Sequence, residues 1–434
     1  VKSVSDAVIE NIGENGSTYD DGEDTFITGT DPNNYIWYSG KLWRAVSVNN
    51  EAKTTKLVTQ WNISTVTYSS GSTAFEKSYM KTWLNDTTVD GFLGNLRDYE
   101  NFIVTDAVWD ATADANELGS ITRPTGKTIV TAPVGLLNIY EYQSSYKGTT
   151  YKNGYLNNGL GWCTLTPYNS SSMRSVNGSG TAFDGSPSIA DGVRPSINLK
   201  SSIKIVDGDG TIDNPYRLNG DNDTNLSGTL LSTRYSGEYI RFGNDENNLY
   251  RIVSHETEEL TKVISIGPLK KSGKFITNIF GSNTTFSSSN TIGTFLNGEY
   301  LTSYVDSNYN DMIEDNTTWY LGTVGEGKSY KLAKYKNATD NILTSSTTIA
   351  KVGLLRFGEL MAGQFDRYGN NTEYWTLTPE STSYVWNVSS ASGVNFNSYS
   401  YAFGVYPSMN LKSNVIITSG DGTKNNPFTI ELSS

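Results

Sequence analysis

Apolar and polar residues alternate at the start of each half of the chain, the pattern of half-buried strands. Tyr35–Tyr38 and Leu42–Val48 flank Ser39-Gly40-Lys41 and predict a hairpin; Tyr239–Phe242 and Leu249–Ser254 flank the longer turn Gly243–Asn248 and predict another. A third strand is expected after each, at Thr55–Thr59 and Leu260–Ile266. The period then changes. Phe75, Tyr79 and Trp83 recur at spacing four, which predicts a helix over Thr73–Asn85 opened by a capping box between Thr73 and Glu76. A second short helix is expected over Val134–Tyr142. The last third of each half is rich in Gly, Ser and Asn and reads as strand fragments between turns, the kind of region that carries ligands.

These patterns are written twice. Thr164–Tyr216 recurs at Thr376–Phe428, each position 212 residues further on: TLTP at Thr164–Pro167 and Thr376–Pro379, GVRPSINLK at Gly192–Lys200 and GVYPSMNLK at Gly404–Lys412, DGDGTIDNPY at Asp207–Tyr216 and SGDGTKNNPF at Ser419–Phe428. The copy is an internal control, because chemistry that the ancestral unit needed should survive in both halves. A chain of 434 residues fits two units of roughly 200 residues. The repeat divides it into an N-terminal extension at 1–22, a first module at 23–218 and a second at 219–434, with Asn219–Gly228 composed like a linker or surface turn.

Composition narrows the function. Aromatic residues make up 12%, Tyr alone numbers 28, Gly 41, and charged residues are only 18%, a surface-protein composition poor in helix-favouring runs. The net charge of −12 repels polyphosphate and excludes nucleic acid as a partner. One Cys and one His exclude an internal disulfide and a zinc site of several His and Cys ligands. No run of about 18 apolar residues exists to span a membrane. A start at Val1 rather than Met suggests a mature form released from a leader or anchor, and so an extracellular, cell-surface location.

The order YIWYSGKLWR (Tyr35–Arg44), WLND (Trp83–Asp86), VGLL, WCTLTP (Trp162–Pro167) and GVRPSINLK resembles a family of surface domains of unassigned function from Gram-positive and gut bacteria. YWTLTP (Tyr374–Pro379), YVWNVSSASGV (Tyr384–Val394), GVYPSMNLK and SGDGTKNNPF carry the same resemblance in the second half. That family in turn resembles the C-type-lectin-like fold of formylglycine-generating enzymes and of the variable proteins of diversity-generating retroelements, through WNV at Trp386–Val388 and the closing GVRP and GVYP. The resemblance implies an α+β fold of two tandem C-type-lectin-like modules, mostly short antiparallel strands and irregular loops with one or two short helices each. It departs from the enzymes at their active-site cysteines: only Cys163 is present, and its counterpart is Trp375.

The candidate chemistry is sparse. GTVGEGKS (Gly322–Ser329) matches a phosphate-cradling loop but lacks a strand-to-helix context and an intact copy, so it is set aside. Asp207, Asp209 and Asp213 have the spacing of a calcium loop, yet the second copy keeps only one of the three, and a turn explains the pattern as well. No His lies in the module of Cys163, and the single His255 lies in the other; a small buried Cys and a strand-end His account for both. The recognition candidates are Tyr384, Trp386, Asn387, Asn395, Phe396, Tyr399 and Tyr401, aromatics interleaved with amides that suit stacking and hydrogen bonding to a surface glycan or a partner protein. At the same offset the first half has Ser172, Arg174, Asp184, Pro187, Ile189 and Asp191 in place of Tyr384, Trp386, Phe396, Tyr399, Tyr401 and Phe403. The alternative is that these aromatics pack inward on a strand face.

The expectation is therefore a non-enzymatic structural or adhesive protein of the bacterial surface, a subunit of an appendage, filament or surface layer. The alternative is a lectin-like protein binding a carbohydrate or protein ligand. Self-association is expected through Val1–Gly22, where Val4–Ile12 could add a strand or short helix to a neighbouring copy. No cofactor is expected beyond the calcium option.

Overall fold

The computed structural model describes residues 1–328, 346–359, 365–366, 372–389 and 393–434. The turn at Ser39 and Gly40 has φ of 55° and 72°, the left-handed pairing whose twist matches a two-residue hairpin. It joins Tyr35–Tyr38 to Lys41–Asn49 with Tyr38 opposite Lys41. Around this hairpin lies an eight-stranded sheet, including Gly16–Asp20, Asp24–Gly29, Thr55–Thr59 and Ser196–Leu199, with Tyr216–Leu218 running parallel to Tyr35–Tyr38 and Ile205–Asp207 at the edge beyond it. The second half builds a five-stranded sheet from Tyr239–Arg241, Leu249–Ser254, Thr261–Ser265, Ser408–Leu411 and Val352–Gly353. There Ile240 meets Phe428 in parallel, as Ile36 meets Tyr216. A second five-stranded sheet and several two- and three-stranded ones complete a mainly β structure with few, short helices.

The repeated motifs turn out to be framework contacts. Asn85 brackets Val134, accepting its N–H at 2.9 Å and donating to its carbonyl at 3.0 Å, and Asn297 does the same to Val352 at 2.9 and 3.0 Å. The glycine that follows each valine has no room for a side chain: a Cβ would lie 2.4 Å from the Trp109 ring at Gly135 and 2.7 Å from the Trp319 ring at Gly353. In TLTP the first threonine hydroxyl donates across the sheet to the carbonyl of residue 174 or 386. The second accepts the N–H of Ile139 or Phe357. The GDGT turn is closed by Asp209, whose Oδ1 takes the N–H and hydroxyl of Thr211 at 3.1 and 2.7 Å. Asp421 repeats this on Thr423 at 3.0 and 2.7 Å.

Several expectations change. The helix expected over Thr73–Asn85 is broken into a 3-10 turn at Phe75–Lys77 and an α-helix at Tyr79–Leu84, whose cap is Ser78. Thr73 donates instead to the Asn169 carbonyl at 2.9 Å. The second helix begins later, at Ile139, behind a capping box of Asn138 and Glu141. Val134 and Gly135 are held extended by Asn85 and by a bridge to Ser196 and cannot join it. The N-terminal segment expected to reach a neighbouring copy is docked on its own chain. Val4–Glu10 is a helix that buries Val4, Ala7 and Val8 in the core, tied by the Val4 N–H to the Ile203 carbonyl at 3.0 Å, and Gly16–Asp20 pairs with Asp24–Gly29. Asn219–Gly228 runs mostly as exposed turn, anchored at two aspartates. Asp221 is buried, accepts the Ser39 N–H at 3.0 Å and pairs with Arg97 at 3.1 Å, while Asp223 binds both Arg97 and Arg234.

The halves pack tightly. Phe357, Trp386, Val388 and Tyr406 belong to the same buried cluster as Trp43, Trp83 and Trp162. At the junction the Ser39-Gly40 turn lies against Ser236 and Gly237, with Lys41 Nζ on the Ser236 carbonyl at 2.9 Å and Arg251 Nη2 on the Gly40 carbonyl at 2.8 Å. Burial pushes the Lys41 ammonium down to about 7, and the nearby Arg251 adds to the shift.

Candidate ligand-binding surface

Five of the recognition candidates lie on Tyr384–Val388 and Val394–Ser398 of a five-stranded sheet that also holds Tyr374–Pro379, Ala402–Gly404 and Thr277–Ile279, with Trp386 opposite Phe396 and Asn387 opposite Asn395; Tyr399 and Tyr401 lie in the turn that follows. Period-two alternation then separates the candidates. Tyr384, Trp386 and Phe396 share one side, with Phe396 at ring-centre distances of 5.5 Å from Tyr384 and 5.3 Å from Trp386. Trp386 is only 3% exposed; it stacks on Phe357 at 4.5 Å and its Nε1 donates to the Val324 carbonyl at 2.7 Å. Asn387 is fully buried. These two are beneath the surface and out of a ligand's reach, and Tyr399 is half-buried.

What remains accessible is a shallow depression of about 540 Å³ lined by Glu373, Asn395, Phe396, Asn397, Tyr401 and Phe403. Buried Asn387 organises it from below, donating to Glu373 Oε2 at 2.5 Å and accepting from the Asn397 amide at 2.7 Å. Asn395 is exposed and its amide has no partner among the described residues. Tyr401 is 57% exposed and stacks on Phe403 at 6.0 Å, which in turn packs on Trp375 at 4.7 Å. The arrangement offers one aromatic face beside an amide and a carboxylate whose orientations are already fixed. Residues 390–392, inside the variable segment, lie outside the described residues.

The first half closes the matching surface. Arg174, at the Trp386 position, has a side chain 3% exposed that pairs with Asp184 at 3.0 Å, donates to the carbonyls of Asp114 and Asn116, and lies over the Tyr168 ring at 4.5 Å. Asp191, at the Phe403 position, is half-buried on a strand paired with Ser64–Thr67, and burial pushes its carboxyl up to about 7.

The other candidates resolve as structure. Asp207, Asp209 and Asp213 do not converge: Asp209 closes its turn, Asp207 takes the Gly208 N–H at 2.8 Å, and among the described residues no group of three His, Cys, Asp or Glu side chains is placed to hold a metal ion. Cys163 is buried, which pushes its thiol well up. The ring nitrogens of His255 lie 3.0 Å from the Leu260 carbonyl and 2.6 Å from that of Arg234, so the imidazole is committed to the backbone. Gly322–Lys328 is a loop pinned through Val324, whose N–H donates to Pro379; Ser329 lies outside the described residues. No helix among the described residues is long and apolar enough to cross a membrane.

One duplicated constellation escaped the sequence reading. Lys56 Nζ binds Glu141 at 2.6 Å and stands 4.8 Å from the Trp109 ring; Lys262 Nζ binds Glu359 at 2.7 Å and stands 5.1 Å from the Trp319 ring. Its signal was the Thr-Lys pair at Thr55-Lys56 and Thr261-Lys262, shared by both third strands. No family model, curated protein or solved structure matches this chain.

Proposed function

We propose that the chain is a non-enzymatic binding protein of the bacterial exterior, built as two tandem C-type-lectin-like modules of which the second presents the ligand surface. The depression at Asn395, Asn397, Glu373 and Tyr401 carries this reading: it combines an exposed ring with polar groups held in place from below, the combination that grips one face of a sugar ring and its hydroxyls. The module reading is supported by the framework contacts that recur in both halves, and by the resemblance of the motifs that make them. The filament reading leaned on Val1–Gly22 as a contact to a neighbouring copy, and that segment packs on the chain's own core and sheet. Adhesion through a bound glycan therefore has more behind it than polymerisation by strand addition. A glycan array of the intact protein beside Tyr401→Ala and Asn395→Ala variants tests it, with binding expected in the parent and lost in both; matching flat profiles would remove the reading.

A further inference from the structure

A second concavity lies where the two halves meet, and both copies of the Gly-Asp-Gly-Thr turn contribute to it. The cleft holds about 310 Å³, the size at which small-ligand pockets begin. Ile212 and Asp213 come from the first turn and Asp421 and Lys424 from the second, and Trp37 and Trp61 form an aromatic wall. The turns are fastened across the cleft, the Asn425 amide donating to the Asp213 carbonyl at 3.1 Å and Arg217 reaching Asp421 at 3.5 Å.

The interior is held by its own contacts. Trp37 stacks on Tyr239 at 6.1 Å, and the Tyr239 hydroxyl donates to Asp366 Oδ2 at 2.5 Å. Asp366 is 8% exposed, is held by Arg251 at 2.9 Å, and has its second oxygen 3.8 Å from Lys424. A visiting molecule would thus meet indole surface, carboxylate acceptors and an ammonium donor, most of them already fixed by other contacts. Four lining carboxylates against Arg217 and Lys424 disfavour an anion, and the polar lining disfavours a purely apolar guest.

From this geometry we infer a binding site for one ring of a neutral saccharide in the cleft between the halves, stacked on Trp61 and hydrogen-bonded by Asp213, Asp421 and Lys424. A ring of this kind presents an apolar C–H face to an indole and hydroxyls that both donate and accept, which the mixed lining satisfies together. The site uses different residues from the depression at Tyr401, so the two stand or fall separately. It also gives the repeated turn a use that neither copy has alone, since the cleft needs both.

Saturation-transfer NMR with a panel of neutral mono- and disaccharides tests the inference on the full chain, followed by titration of any ligand found. Trp61→Ala removes the stacking face, and Ile212→Arg, at a residue 50% exposed, blocks the cleft without entering the core. Both variants should weaken binding by about tenfold or more while Tyr401→Ala leaves this binding intact, tenfold being about 1.4 kcal/mol. Absence of binding across the panel, or affinity unchanged in Ile212→Arg with its melting temperature unaltered, overturns the proposal. Loss in Tyr401→Ala alone also overturns it and assigns the saccharide to the depression.

Discussion

Arg174 in the first half and Trp386 in the second hold down corresponding loops, one with a guanidinium on the Asp114 and Asn116 carbonyls, the other with an indole N–H on the Val324 carbonyl. Their cross-strand partners changed with them, from Asp184 to Phe396, so an ion pair stands where an aromatic pair stands in the copy. Two chemistries perform one mechanical task. An aromatic cluster in one copy is therefore no sign of a ligand by itself; the informative residues are those that the framework leaves uncovered, Asn395 and Tyr401.

The comparison breaks most visibly at Trp386. Trp386→Ala should destabilise the chain by about 3–5 kcal/mol, measured by urea unfolding, because a fully packed indole leaves a cavity that its neighbours fill only in part. Arg174→Ala should cost less, about 1–3 kcal/mol, chiefly through carbonyls left without a donor, since Asp184 regains solvent. Equal losses at the two sites would mean that the ion pair and the aromatic pair are equivalent in energy as well as in position.

Asp191 sharpens the contrast by pH. Its carboxyl is pushed up to about 7, so the folded chain keeps a proton that the unfolded chain releases in the ordinary carboxylate range. The stability it contributes is present at acid pH and lost as pH rises from about 4 to about 7. Asp191→Asn should therefore flatten this part of the profile and raise the melting temperature near pH 8 relative to the parent, with little change near pH 4. The second half has Phe403 at this position and no such dependence of its own from it.

Local patterning made the hairpins legible. Thr55–Thr59 and Leu249–Ser254 are strands over the residues expected, because short runs rich in β-branched and apolar residues, bounded by polar turns, decide them within the segment. The helices were less so, since Ser78 ends one run with its own side chain and a distant Asn85 withholds Val134 from another. The candidate site was half legible. Spacing placed the aromatics and amides on adjacent strands, but Phe357 and Val324, which bury Trp386, come from elsewhere in the chain and leave no mark near it. The duplicated Lys56 and Lys262 pairs were visible as repeated letters, and only the fold gives them Glu141 and Glu359 as partners.

The docking of the first residues on Lys200–Ile205 has a bearing on synthesis. Val4, Ala7 and Val8 leave the ribosome ahead of the segment that they dock on. Yet their hydrogen-bonded seat at Ile203 and Ile205 is translated nearly two hundred residues later. At about 5–20 residues per second the apolar stripe waits on the order of ten seconds or more before it can be covered. The helix at Val4–Glu10 is thus made well before it can be seated, which leaves a nascent chain stopped short of Ile205 with an uncovered apolar stripe open to aggregation or to capture by a chaperone.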